Sequence, residues 1–143
     1  MIKKLENHFD ISDNEFERQV ANGTLNPLLF NHESRLRLAW LHIHHYGLEK
    51  AIENVSDQLL SYASLFGLDY KYNKTMTRAA LYTVHHFKRQ SRSKNFADFI
   101  LEFPELKFNF KELTGFHYAN DTFNSIHEGY EFDYVEAELA LAR

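Results

Sequence analysis

Five side chains combine the types and spacing that chemistry needs: His32 and Arg35 at the start of one helical stretch, and Tyr72, Asn73 and Thr77 at the start of another. Residues three or four apart share a helix face, so His32 and Arg35 fall on one stripe and Asn73 and Thr77 on a second. Both stripes continue in apolar residues. Polar groups there face the interior, and each costs roughly 1–3 kcal/mol unless it is paired. If the two helix beginnings meet, they enclose a small polar pocket. The free backbone N–H groups of a helix start, together with a guanidinium, suit a small anionic or carbonyl-bearing molecule. In that pocket His32 and Arg35 contact the ligand's oxygens, Tyr72 and Thr77 donate hydrogen bonds, and Asn73 orients it. Were there catalysis, His32 would be the general acid or base, since imidazole titrates near neutrality. The same side chains satisfy one another equally well as a buried network with no ligand. The residues leave both readings open.

Other constellations carry less. His32-Glu33 followed by Arg35 lacks the second His that a metalloprotease helix places four residues after the first. His42 and His45 are spaced to chelate a cation but have no evident carboxylate on their face, and His44 points elsewhere. His85 and His86 diverge by about 100° on a helix and read as surface. Without Cys there is no thiolate chemistry and no sulfur-bound zinc. We therefore expect no metal and no cofactor. Lys88, Arg89, Arg92 and Lys94 form a basic patch that reads as a solvated loop. No Gly-rich phosphate loop appears, and Ser34 and Ser125 have no Asp placed to complete a triad.

The elements that must position these groups are helices. Gly (5) and Pro (2) are too few for the turns of a many-stranded sheet. Ser12 or Asp13 caps a short helix closed by Asn22-Gly23. A second helix runs from about His32 to Tyr46, its stripe reading His32, Arg35, Leu36, Ala39, Ile43, Tyr46. Leu38 and Leu41 lie behind, so this helix is apolar most of the way round and central. A third runs from about Leu48 to Phe66 with Leu48, Ala51, Ile52, Val55, Leu59, Tyr62, Ala63 and Phe66 inward. The single Gly47 between them makes the two antiparallel neighbours. A fourth ends near Phe87, and shorter helices follow at Phe96 to Phe103 and Phe108 to Leu113. Residues 1–12 read as an N-terminal arm, and Asp121 caps a turn through Ser125 and Ile126. Residues 130–143 form an acidic tail of uncertain structure. The expectation is an all-α, compact single-domain helical bundle of about five to seven helices spanning 1–143.

The segment Phe30-Asn31-His32-Glu33-Ser34-Arg35-Leu36-Arg37-Leu38-Ala39-Trp40-Leu41 resembles the F-x-H-x-x-H-L-R-x-A-W segment of an uncharacterised family of small helical bacterial proteins. Lys71-Tyr72-Asn73-Lys74-Thr75-Met76-Thr77 is similar to that family's K-Y-H-E-T-x-T segment, and a looser echo reaches His117-Tyr118. The resemblance implies a bacterial source and a helical fold, and it carries no activity. Here Arg35 and Asn73 stand where the family pattern has two further His. Three imidazoles would hold a divalent cation, whereas a guanidinium repels one. A carboxylate or phosphate suits what remains.

Composition sets the outer bounds. The chain has 143 residues, 44% hydrophobic and 25% charged, with a net charge of -4. That is enough to bury a core and too acidic overall for a general nucleic-acid binder. No stretch has the unbroken apolar run of a signal peptide or a membrane span, so the expected location is cytoplasmic, without membrane attachment. The leading functional expectation is a binding protein, or a diverged enzyme, for a small polar or anionic ligand in an interhelical pocket. One rival is a metal-dependent enzyme using His side chains. Another is an interaction module whose aromatic C-terminal half forms a homodimer face.

Overall fold

The computed structural model describes residues 7–113, all helix and connecting turns. The helices are α1 (Asp13–Asn22), α2 (His32–Tyr46), α3 (Leu48–Ser64), α4 (Lys74–Gln90), α5 (Phe96–Glu102) and α6 (Glu105–Phe108). Short 3-10 turns stand at His8–Asp10, Pro27–Leu29 and Asp69–Lys71, and residues 110–113 add a last helical turn. The all-α bundle expected from the sequence is what the chain forms. The expected turn at 121–126 and the acidic tail at 130–143 lie outside the described residues.

Local chemistry sets most boundaries. Ser12 accepts a hydrogen bond from the Glu15 amide to start α1, and Gly23, at φ 77°, ends it. Asn31 and Ser34 exchange bonds in a capping box at the head of α2. Asn73 and Asn95 cap α4 and α5 from one side only, accepting from the Met76 and Asp98 amides. α3 stops at Ser64, two residues short of the expected end, and Gly67 adopts φ 71° just beyond. α4 continues to Gln90, three residues past the expected Phe87. The helix expected around Phe108 to Leu113 is the turn at 110–113, and α6 at Glu105–Phe108 is an additional short helix ahead of it. Pro104 has φ −62° and ψ −20°, already helical, so it opens a helix as well as closing the one before.

Packing centres on α2. Ten consecutive residues, Ser34 to Ile43, are buried. α3 runs antiparallel along it: Phe30 meets Tyr62 edge-on at 4.7 Å, and Asn54 Nδ2 lies 3.4 Å from His42 Nδ1. α4 covers both, contributing Met76, Ala79, Ala80, Leu81 and Val84 to the interior. α5 closes the remaining side with Phe96, Phe99 and Ile100. The segment read as an arm is held at its described end. His8 is 0% exposed, with its ring 6.1 Å from that of Phe16 and 6.3 Å from that of Phe96.

The α2–α3 connection depends on one residue. Gly47 has φ 82° and ψ 168°, a region open in practice only to glycine. A Cβ there would meet nothing within 4 Å, so a substitution costs backbone energy alone. Gly47→Ala is expected to lower the free energy of unfolding by roughly 1–3 kcal/mol in urea titration. A loss below about 0.5 kcal/mol would show that the turn relaxes freely.

Candidate functional site

The two helix beginnings singled out from the sequence have different surroundings. At the head of α4, Asn73 serves as the cap: its side chain accepts from the Met76 amide, and its carbonyl accepts from Thr77 Oγ1 at 3.2 Å. Tyr72, half-buried, sets its hydroxyl against Ser56 and Thr77. Burial pushes that hydroxyl above its ordinary pKa while the two neighbouring hydroxyls pull it down. Tyr72, Asn73 and Thr77 are therefore together, with Asn73 and Thr77 bonded within the start of α4 and the Tyr72 hydroxyl buried beside Ser56. Thr77 is 2% exposed.

At the head of α2, Arg35 turns inward. It is 1% exposed, with its guanidinium carbon 4.7 Å above the Phe30 ring. Its charge reaches Tyr62, whose hydroxyl burial pushes up to about 12 and the guanidinium pulls the other way. That hydroxyl donates to the Leu25 carbonyl at 2.7 Å. His32 points the opposite way, toward α6. Its Nε2 lies 2.9 Å from the Leu106 carbonyl oxygen, and its ring meets Phe110 edge-on at 4.7 Å. A carbonyl only accepts, so Nε2 carries the proton and Nδ1 is the basic nitrogen. His32, Lys107, Phe108, Phe110, Lys111 and Glu112 line a hollow of about 270 Å³. The described contacts of His32 thus run to α6 and residue 110, and those of Tyr72 and Thr77 to α3 and their own helix.

A polar network that the sequence reading missed lies beneath this hollow. Arg37, 3% exposed on α2, donates to the His8 carbonyl at 2.6 Å and the Ile11 carbonyl at 2.9 Å. It also donates to Asp13 Oδ1 from Nη2 at 2.7 Å and from Nε at 3.2 Å, and lies 4.6 Å over the Phe16 ring. Arg37 Nη1 reaches His8 Nδ1 at 3.2 Å, and His8 Nε2 reaches Glu33 Oε1 at 2.8 Å. Since Arg37 only donates, His8 is the neutral Nε2–H tautomer. Burial lowers its pKa most, Glu33 opposes, and Arg37 and Lys107 add to the lowering. Glu33 passes the chain on to Lys107 Nζ at 2.9 Å, at the rim of the hollow. The signal was legible in one respect, a cation inside Leu36-Arg37-Leu38-Ala39-Trp40-Leu41. A charge within an apolar run needs a buried partner.

The far end of α2 corrects another reading. His42 and His45 do have a carboxylate, supplied by Glu17 of α1: Oε2 lies 3.4 Å from His45 Nε2, and Oε1 lies 3.8 Å from His42 Nε2. His42 is 4% exposed, and burial first, then the His45 charge, lowers its pKa to about 4. His44 stacks on Trp40 at 4.9 Å, with Lys88 Nζ 4.9 Å over the same indole. His85 is half-buried and His86 exposed. Arg89, Arg92 and Lys94 are exposed as expected, while Lys88 is half-buried. Of the phenylalanines from 96 on, which read first as core and only secondarily as a dimer face, Phe96, Phe99 and Phe110 are core and Phe108 is 76% exposed. Phe116 lies outside the described residues.

No family model, curated protein or solved structure matches this chain. Among the described residues no helix is long and apolar enough to cross a membrane.

Two predictions follow from the buried polar groups. Arg37→Ala removes the donors that hold two buried carbonyls and an ion pair, and is expected to cost about 3 kcal/mol in chemical denaturation. A loss under about 1 kcal/mol would show that the N-terminal segment is held by packing alone. His8 and His42 are neutral when folded, whereas an unfolded imidazole takes a proton near pH 6.5. Stability is thus full above pH 6.5 and is lost as pH falls from there toward about 4, by roughly 3 kcal/mol for His42. In buffer free of divalent cations, Tm should fall over that window, and His42→Leu should flatten the slope. An unchanged slope in the variant would refute the assignment to His42.

Proposed function

We propose that this protein binds a small anionic molecule, in the hollow where the head of α2 meets α6. What supports the reading is the grouping of the His32 imidazole with Lys107, which Glu33 also holds, and Lys111, with Glu112 and Phe110 beside them, around about 270 Å³. Two ammonium groups and an imidazole favour carboxylate or phosphate oxygens. The Leu106 carbonyl accepts the Nε2 proton of His32 and so orients the ring against the hollow, where Lys107 and Lys111 are the groups that meet a ligand's oxygens. In a diverged enzyme His32 would be the general acid or base, after a ring turn that brings Nδ1, buried in this conformation, to the ligand. Arg35, Tyr72, Asn73 and Thr77 enter this reading as the groups that fix the starts of α2 and α4. The buried Arg35 charge behind the head of α2 adds to the positive potential felt there. The resemblance to a bacterial family with imidazoles at positions 35 and 73 fits a member that has exchanged a cation site for an anion site. We place the protein in the cytoplasm as part of the same reading.

Thermal shift with a panel of small carboxylates and phosphates tests it. At least one should raise the wild-type Tm with dose, as mass action requires. His32→Ala and Lys111→Gln, both at the rim, should each reduce the shift at a fixed ligand concentration by half or more. Arg35→Met should lower the Tm without ligand and leave a residual shift. Stabilisation by none of the panel, or equal stabilisation of the two rim variants, would contradict the proposal.

A further inference from the structure

We propose that Lys88 is an attachment site for a small aldehyde, which its amine takes up as an imine with His44 as the proton acceptor. Lys88 stands in the last turn of α4 and meets the tail of α2. Its Nζ lies 4.9 Å over the Trp40 ring and 3.4 Å from His44 Nδ1. His44 lies flat on the same indole, with ring centroids 4.9 Å apart and planes 9° from parallel. An ammonium only donates, so Nδ1 is the acceptor and the nitrogen without a proton. Trp40, 2% exposed, is a fixed support for both groups. An amine and a base held within reach of each other form the arrangement that activates a lysine nucleophile. The surroundings set Lys88 apart: Lys50 is paired with Glu53 and Lys107 with Glu33, whereas Lys88 has no carboxylate within ion-pair reach among the described residues. This site stands apart from the hollow at His32, toward the other end of α2.

The electrostatics fit that role. Burial lowers the Lys88 pKa. Burial first, then the Lys88 and His45 charges, lowers that of His44, while Asp13 from α1 opposes. The imidazole is thus neutral near pH 7 and open to a proton. The indole face and the C-terminal end of α4 favour the ammonium, so Lys88 rests charged and reacts after passing a proton to His44. The Nζ lone pair then attacks the carbonyl carbon, and the C=O π pair moves to oxygen. His44 gives its proton to that oxygen and takes one from nitrogen, leaving a neutral carbinolamine. It then protonates the hydroxyl, which leaves as water while the nitrogen pair closes the C=N bond. An ammonium and an aldehyde become a protonated imine and water, with charge conserved and nothing oxidised or reduced. His44 is exposed and its contact with Lys88 faces solvent, so an aldehyde can reach the amine.

Labelling of the folded protein with propanal and sodium cyanoborohydride at neutral pH tests the site, since the hydride fixes each imine as a propyl amine that peptide mass mapping locates. Lys88 should be labelled roughly fivefold faster than Lys74 and Lys94, which are exposed. That preference should vanish in concentrated guanidinium chloride. His44→Phe keeps a ring on Trp40 without a nitrogen. It should bring the Lys88 rate down to about that of Lys94 and leave Lys74 and Lys94 unchanged. The comparison among lysines of the wild type needs no variant, so it stands even if His44→Phe unfolds the chain. Labelling of Lys88 no faster than Lys94, or at equal rates in wild type and folded His44→Phe, would overturn the proposal.

Discussion

A helix buried on every side has no wet face on which to leave its polar residues, and α2 is such a helix. Ser34, Arg35, Arg37 and His42 all sit within its ten buried positions. A buried cation stripped of its partner costs roughly 3–5 kcal/mol, a large share of what holds a domain of this size together. The rest of the structure is therefore arranged to meet α2. Residues 8–13 bend around Arg37, offering two carbonyls and a carboxylate, and Phe16 lies under the guanidinium. Phe30 covers Arg35. Asn54 from α3 and Glu17 from α1 address the two nitrogens of His42 from opposite sides. Removing any one element uncovers a charge or a donor as well as hydrocarbon, and this ties short pieces such as the His8–Asp10 turn to the stability of the whole.

The same constraint moves chemistry to the ends of α2. In its middle, Arg37 is committed to holding residues 8–13. At its head, His32 escapes the core and reaches α6, and at its tail His42 and His45 meet α1. Lys107 links structure and site: it closes the chain of contacts Asp13–Arg37–His8–Glu33 and borders the hollow beside His32. A ligand that engaged Lys107 would compete with Glu33 for it, so occupancy of the hollow and the hold on His8 are energetically coupled.

How far the sequence reached follows from the range of the forces involved. α2 was legible to the residue at both ends, because Asn31, Ser34 and Gly47 act within four residues of the boundary. α1 was legible for the same reason. The separate short helix at Glu105 was hidden because Pro104 reads first as a stop and only its backbone angles make it a start. The candidate site was legible in part. His32, Arg35, Tyr72, Asn73 and Thr77 were found because polar groups interrupt apolar stripes, and that signal is local. Which way each pointed was not local. The inward turn of Arg35 depends on Phe30 and Tyr62, and the outward turn of His32 on Leu106, 74 residues away. Nothing local marks Glu17, since its meeting with His42 and His45 exists only once α1 packs on α2.

α2 is the member whose burial the rest of the described structure serves. Native-state amide hydrogen exchange tests that most directly. The amides of Ser34 to Ile43 should exchange only through global unfolding, at the slowest rates in the molecule and with one shared free energy. Exchange of that segment through local openings, at rates equal to or faster than those of α5, would contradict it.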